Sequence, residues 1–237
     1  MGSDAVPAGA WLTAAPAFPS PNSGPRRGGA RPDLIVIHYT GMATCAEARA
    51  RLCDPAAEVS AHWLVAEDGA TEQLVDESLR AWHAGEGAWG QVSDVNSRSI
   101  GIELANPGDA PFPEPQMQAL ETLLAGVMAR HGIPPQRVIA HSDMAPARKR
   151  DPGPRFDWRR LALRGLSVWP GPDGDPGAPF VPSLRRFGYP DLPGGMLLAA
   201  FRLRFRPWAE GPESGADRAA AADLARRFPV DGTPGGA

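Results

Sequence analysis

The sequence predicts an α/β fold: a mixed central β-sheet flanked by helices, with a small three-helix domain at the C-terminal end. Three observations carry this. Asp33-Leu-Ile-Val-Ile-His-Tyr39 is a short apolar run rich in β-branched residues, the pattern of a buried strand. Ser99-Ile-Gly-Ile-Glu-Leu-Ala105 alternates, with Ile100, Ile102 and Leu104 facing one way and Ser99, Gly101 and Glu103 the other. Residues 114–131 place Met117, Leu120, Leu124, Val127 and Met128 on one helical face and end at Gly132. Strands and helices of this kind bury their apolar faces by packing in layers.

The remaining elements follow in chain order. Residues 1–30 read as an irregular arm, because Pro, Gly and Ser dominate and Pro21-Asn22 and Gly24-Pro25 are turn signals. A helix is expected from Thr44, which forms a capping box with Glu47 and stops before Pro55. Residues 60–66 read as a strand. Asp68-Gly69 is a turn, and residues 71–75 return to form a hairpin. Residues 138–141 are a last short strand. The main domain is expected over residues 31–165 and a Pro/Gly-rich linker over 166–182. Short helices at 183–187, 196–205 and 214–228 make up a unit over 183–230, with Ser214 and Asp217 capping the last.

Composition narrows the function. A length of 237 residues allows one large domain, or a domain of roughly 150 residues with a small companion. A net charge of -3 gives no bulk attraction for nucleic acid, so no nucleic-acid partner is expected. No run of about 18 apolar residues exists, so no membrane span is expected. The chain as it stands has neither a basic segment leading into an apolar one nor a cysteine near its start. The expectation is a cytoplasmic monomer, or the cell envelope where a signal has been removed. Cys45 and Cys53 fall on one helix about 12 Å apart, too far for a disulfide, so a reducing compartment is allowed.

Four residues at strand ends or turns stand out. His38 and His141 each close an apolar strand, Asp151 follows in Arg148-Lys-Arg-Asp-Pro-Gly-Pro154, and Glu103 lies on the small, polar face of a third strand. Two histidines and a carboxylate are a common ligand set for catalytic zinc, which leaves its fourth position for water. A separate carboxylate is then needed to move the water's proton, and Glu103 is the candidate. Lys149 is placed to stabilise an oxyanion. Taken one at a time, each residue also fits a structural role: a hydrogen-bonded histidine, a turn-starting Asp-Pro, a solvated charge. No local motif of the H-E-x-x-H kind decides between them.

The chain resembles the zinc amidases of the type 2 amidase family, which are related to phage T7 lysozyme and the peptidoglycan recognition proteins. The resemblance runs from about Ser20 to Trp158. It is carried in order by Ser20-Pro-Asn-Ser-Gly-Pro-Arg26, Leu34-Ile-Val-Ile-His-Tyr-Thr40, Val59-Ser-Ala-His-Trp-Leu-Val65, Arg80-Ala-Trp-His-Ala-Gly85, Asn96-Ser-Arg-Ser-Ile-Gly-Ile-Glu103 and His141-Ser-Asp with Arg148-Lys-Arg-Asp-Pro-Gly153. It looks like the AmpD and AmiD branch. Some relatives have Cys as third ligand, or a Tyr just before the histidine of the second strand. Here Asp151 and Ala61 stand in those places.

The resemblance implies that Zn2+ is held by His38, His141 and Asp151, that Glu103 is the catalytic acid and base, and that Lys149 supports the oxyanion. It implies hydrolysis of the amide between the lactyl group of N-acetylmuramic acid and L-alanine, in peptidoglycan or anhydromuropeptides. Trp82, His83, Asn96 and Arg98 are the expected substrate contacts, with core packing for Trp82 and a turn for Asn96 as alternatives. His62 is read as orienting a ligand or as structural, and Arg26 as an anchor. Close relatives often carry a longer loop where Pro107-Gly-Asp-Ala110 is brief here. Leu184-Arg-Arg-Phe-Gly-Tyr189 and Leu198-Ala-Ala-Phe-Arg-Leu-Arg-Phe-Arg-Pro207 resemble a peptidoglycan-binding module; the other reading is a bundle that only covers the main domain. Two other functions share these features: a non-catalytic peptidoglycan-binding protein and a zinc peptidase cutting within the stem peptide.

Overall fold

The structure, a computed structural model, describes residues 18–230. In chain order its elements are β1 (Ser23–Pro25), β2 (Leu34–Tyr39), α1 (Cys45–Leu52), β3 (Trp63–Val65), β4 (Thr71–Gln73), β5 (Leu79–Ala81), α2 (Val95–Arg98), β6 (Ser99–Leu104), α3 (Glu114–His131), β7 (Val138–Ala140), α4 (His141–Met144), α5 (Trp158–Leu163), α6 (Phe180–Phe187), α7 (Gly194–Phe205) and α8 (Gly215–Arg227). The main sheet has the order β4-β3-β6-β2-β7, parallel except for the β3–β4 hairpin, so the mixed α/β class holds.

The alternation read from the sequence is what divides the two faces of this sheet. Ile35 and Ile37 of β2 join Ile100, Ile102 and Leu104 of β6 in a core closed by Met117, Leu120, Leu124 and Val127 of α3. Helix α3 ends as expected at Gly132, whose φ of 65° suits a residue without a Cβ. On the opposite face, Leu34 and Val36 pack with Phe187, Phe201 and Phe205 of the C-terminal helices. The row continues to His38, because residues two apart on a strand share a face.

The C-terminal helices therefore share one core with the sheet. Val168 and Phe180, at the two ends of the expected linker, are buried in it. Each of the first two helices starts earlier than the apolar spacing indicates, and Ser214 with Asp217 forms the capping box at the third. At the seam lies a fully buried ion pair, Arg204 of α7 with Asp143 of α4. Arg204 also donates to Val138 O and Ser167 Oγ, both at 3.1 Å, and its guanidinium lies 4.2 Å from the ring centre of Trp158. The Tyr189 hydroxyl donates to the other Asp143 oxygen.

Two expectations need correction. Residues 18–30 of the arm are not irregular; residues 1–17 lie outside the described residues. β1 pairs with β5, Ser20 Oγ donates to Leu52 O, and Asn22 Nδ2 donates to Asp54 O and Val59 O, both at 2.8 Å. Polar side chains in a Pro/Gly segment found carbonyl partners more than thirty residues away, which local pattern cannot reveal. Second, His141 does not close a strand. It opens α4, because Asp143 Oδ2 accepts the Ala140 N–H at 2.9 Å and turns the chain there. The expected strands at 60–66 and 71–75 shorten to β3 and β4, and β5, α2 and α5 carry no clear periodic signal.

A polar hub ties α3 to the sheet. Glu77 accepts from Trp63 Nε1 (2.8 Å), Arg130 Nη2 (2.6 Å) and His131 Nε2 (2.7 Å). Burial alone would raise its carboxyl, but His131, Arg130 and Trp63 outweigh that and bring it from 4.5 down to about 2. A depressed carboxylate stabilises the fold above its unfolded value and loses that contribution as pH falls through its folded value. Glu77→Gln is therefore expected to cost roughly 3 kcal/mol at neutral pH, with the gap to the native protein closing between pH 4.5 and about 2. Urea melts across that range check it; parallel stability curves would contradict it.

Candidate active site

The parallel register of β2 and β6 sets His38 beside Glu103. Across β2, β7 leads directly into His141, and the loop after α4 returns to Asp151, whose carbonyl accepts the Ser142 N–H at 3.0 Å. His38, His141 and Asp151 are all buried, with their ligating atoms within 4.8 Å of one another. His38 Nδ1 lies 2.9 Å from His141 Nδ1 and 2.9 Å from Asp151 Oδ2, and His141 Nδ1 lies 3.0 Å from that same oxygen.

These residues fit a divalent metal. His141 Nε2 donates to the Ala84 carbonyl at 2.9 Å, so in the neutral ring Nδ1 is a bare lone pair. Burial, with His141 and Lys149 nearby, lowers the His38 pKa to about 4 against the opposing pull of Asp151, so the His38 ring is neutral at pH 7. Two imidazole lone pairs and a carboxylate oxygen converging at about 3 Å repel one another unless a cation sits among them. Two nitrogens and one oxygen are a donor set suited to zinc.

Glu103 is partly exposed to the cleft, yet its Oε2 is inaccessible and has no hydrogen-bond partner among the described residues. Burial, with Asp151 close by, holds its pKa well above the usual carboxylate range, against the opposing effect of Lys149. Such a group takes up a proton readily. Lys149 lines the same cleft of about 420 Å³, together with Trp82 and Tyr39. Helix α1 supplies one wall through Ala48, Arg51 and Leu52, and Arg150 adds a second cation. Sequence reasoning missed Arg51, although positions 48, 51 and 52 share a helical face, and a helix that follows the His38 strand must lie near that strand's end.

The expected substrate contacts divide. Trp82 lines the cleft, half-buried. His83 borders it too, but its ring is buried between His38 Nε2 (3.0 Å) and Ser99 Oγ (3.1 Å). It fits there because position 101 is glycine: a Cβ would come within 2.4 Å of the His83 ring. Asn96 fits its alternative reading, a turn role: its Oδ1 accepts the N–H groups of His83 (3.0 Å) and Ala84 (2.8 Å). Arg98 is corrected. It pairs with Asp33 at the start of β2, at the opposite end of the sheet from Glu103.

Arg26, just past β1, anchors two other backbone stretches, donating to the carbonyls of Ser97 (2.9 Å) and Ser99 (3.1 Å) and to that of Glu77 (2.9 Å). His62 accepts the Gly101 N–H at Nδ1 (2.9 Å) and donates from Nε2 to Leu79 O (3.1 Å), which makes it a brace between β6 and β5. Burial and the Arg26 charge lower its pKa to about 3. In the short loop after β6, Gly108 packs against the Tyr39 ring, where a Cβ would come within 2.7 Å, and so seats Tyr39 at the cleft edge.

Comparisons with known proteins bear on the family and the fold. The N-acetylmuramoyl-L-alanine amidase family profile matches residues 28–154. The N-acetylmuramoyl-L-alanine amidase AmiD of Escherichia coli (strain K12) is 37% identical over 225 residues, covering 80% of each chain. The 1,6-anhydro-N-acetylmuramyl-L-alanine amidase AmpD of Enterobacter cloacae is 32% identical over 178 residues, covering 64% of this chain and 90% of that protein. The structure of E. coli AmiD in complex with the substrate anhydro-N-acetylmuramic acid-L-Ala-D-gamma-Glu-L-Lys superimposes with a TM-score of 0.77 at 34% identity, covering 84% of this chain and 90% of that one. Fold and site thus define an enzyme of the amidase class. The chain belongs to the N-acetylmuramoyl-L-alanine amidase family, in its AmpD- and AmiD-like branch.

Proposed function

We propose that the protein is a zinc-dependent hydrolase of the amide bond between the lactyl group of N-acetylmuramic acid and L-alanine, acting on anhydromuropeptides or peptidoglycan. The observation that carries this is the convergence of His38 Nδ1, His141 Nδ1 and Asp151 Oδ2 beside Glu103, whose Oε2 has no partner among the described residues. His38, His141 and Asp151 would hold the zinc ion, which when bound would supply Lewis acidity toward the amide carbonyl and a water. Glu103 takes the proton of the attacking water and returns it to the departing alanine nitrogen. Lys149 places its ammonium where negative charge develops on the carbonyl oxygen. Trp82 and Tyr39 form the cleft walls against which the sugar and stem lie.

The test is digestion of purified peptidoglycan and of an anhydromuropeptide, with products read by mass spectrometry. The expected result is release of intact stem peptides, lost on chelation and restored by zinc. Cleavage within the stem would replace this reading by a peptidase. Zinc binding without cleavage of either substrate would replace it by a binding role. Preference for the soluble anhydromuropeptide would support a cytoplasmic recycling role, and preference for the polymer a role in the cell envelope.

A further inference from the structure

The metal-facing side of His38 depends on where its single ring proton sits, and the structure contains a chain of groups that determines this. The chain is best followed from its far end. Ser99 Oγ lies 2.6 Å from the carbonyl of Val95. A carbonyl only accepts, so the one hydroxyl proton of Ser99 points there. Ser99 Oγ then meets His83 Nε2, at 3.1 Å, as an acceptor, and His83 must be the donor. A neutral imidazole has one N–H, so His83 Nδ1 is a lone pair. It lies 3.0 Å from His38 Nε2, which therefore donates to it. His38 is left with a bare Nδ1, the atom that faces His141 and Asp151.

We infer that Ser99 and His83 are positioning residues of the metal site, a one-way donor chain that fixes His38 in its Nε2–H form and keeps Nδ1 free to bind the metal. Every member is buried, so water does not compete for these bonds. Gly101 is part of the arrangement, since a side chain there would push the His83 ring out of the line. His141 reaches the same end by a shorter route, through the Ala84 carbonyl alone. The two ligating histidines thus have their protons set by different segments: His38 by the start of β6, His141 by the loop after β5.

The inference rests on the metal reading of the site, and its test separates the two. In zinc-free protein, long-range proton–nitrogen NMR of labelled histidines reads the tautomer of His38 directly. The native protein is expected to show the proton on Nε2, and Ser99→Ala a mixture of both forms. Zinc affinity, measured by competition with a chromogenic chelator, is expected to weaken about 10–100-fold in Ser99→Ala and His83→Leu. His83→Gln, whose amide oxygen still accepts, is expected to retain more of it than His83→Leu. A residue that only fills space would lower Tm without moving the tautomer of its neighbour. A proton on His38 Nδ1 in the native protein would overturn the inference, whether or not any variant folds. So would native zinc affinity in folded Ser99→Ala and His83→Leu. A native protein that binds no zinc would instead remove the zinc amidase reading, and the tautomer measurement would still decide this one.

Discussion

Glu103→Gln is expected to lower kcat by about 10²–10⁴-fold while zinc content stays at the native level. The glutamine has the same shape and occupies the same place on β6, beside His38 across the parallel register. What it lacks is the ability to take a proton from water and hand it on. The three converging metal-site atoms belong to other residues, so the site's affinity for the ion should be untouched. Stability should not fall either. Oε2 is already buried without a partner among the described residues, and a neutral amide costs less there than a carboxylate. The measurement pairs turnover of an anhydromuropeptide with metal analysis of the purified variant. Substantial residual turnover would move the proton-transfer role elsewhere in the cleft.

Arg204→Met should give the largest loss of stability of any single change at the seam. The substitution leaves Asp143 charged and buried, with the Tyr189 hydroxyl and the Ala140 N–H for company but no cation. Removing one partner of a buried pair costs about 3–5 kcal/mol. In a chain of this size that is a fall in Tm of roughly 10 °C. The loss of stacking on Trp158 and Phe205 adds to it. Differential scanning calorimetry checks the size, and an unchanged Tm would show that water or rearrangement compensates for Asp143. A double variant, Arg204→Met with Asp143→Leu, removes both charges and is expected to recover part of the loss, because the unpaired carboxylate is then gone.

Much of this was legible in the chain because it depends on local pattern. The apolar run ending in His38, the alternation around Glu103 and the face of α3 each announce their own burial, and the strands and helix formed where they do. The residues that converge at the candidate metal site could be picked out by type and by resemblance. What local pattern could not supply was register and long-range partners. Arg98 belongs to a motif that also contains Glu103, but it precedes the strand and Glu103 lies next to its end, so four residues of extended chain separate them. His83 looked like a cleft residue because it follows Trp82; its ring turns inward because Gly101 leaves a space there. Arg204 sits in a helix whose arginines look alike in sequence. Only the packing shows that it is buried against Asp143, 61 positions earlier, while Arg202 pairs with Asp217 inside the C-terminal unit.

The side chains of β2 on one face run Leu34, Val36, His38, and the C-terminal helices cover the first two of them. Cover and candidate metal ligand are thus neighbours on a single strand. An exchange of the last third of the chain for that of a relative would not simply swap an accessory part. The incoming helices would need side chains complementary to Leu34 and Val36 and a cation for Asp143, two residues after His141.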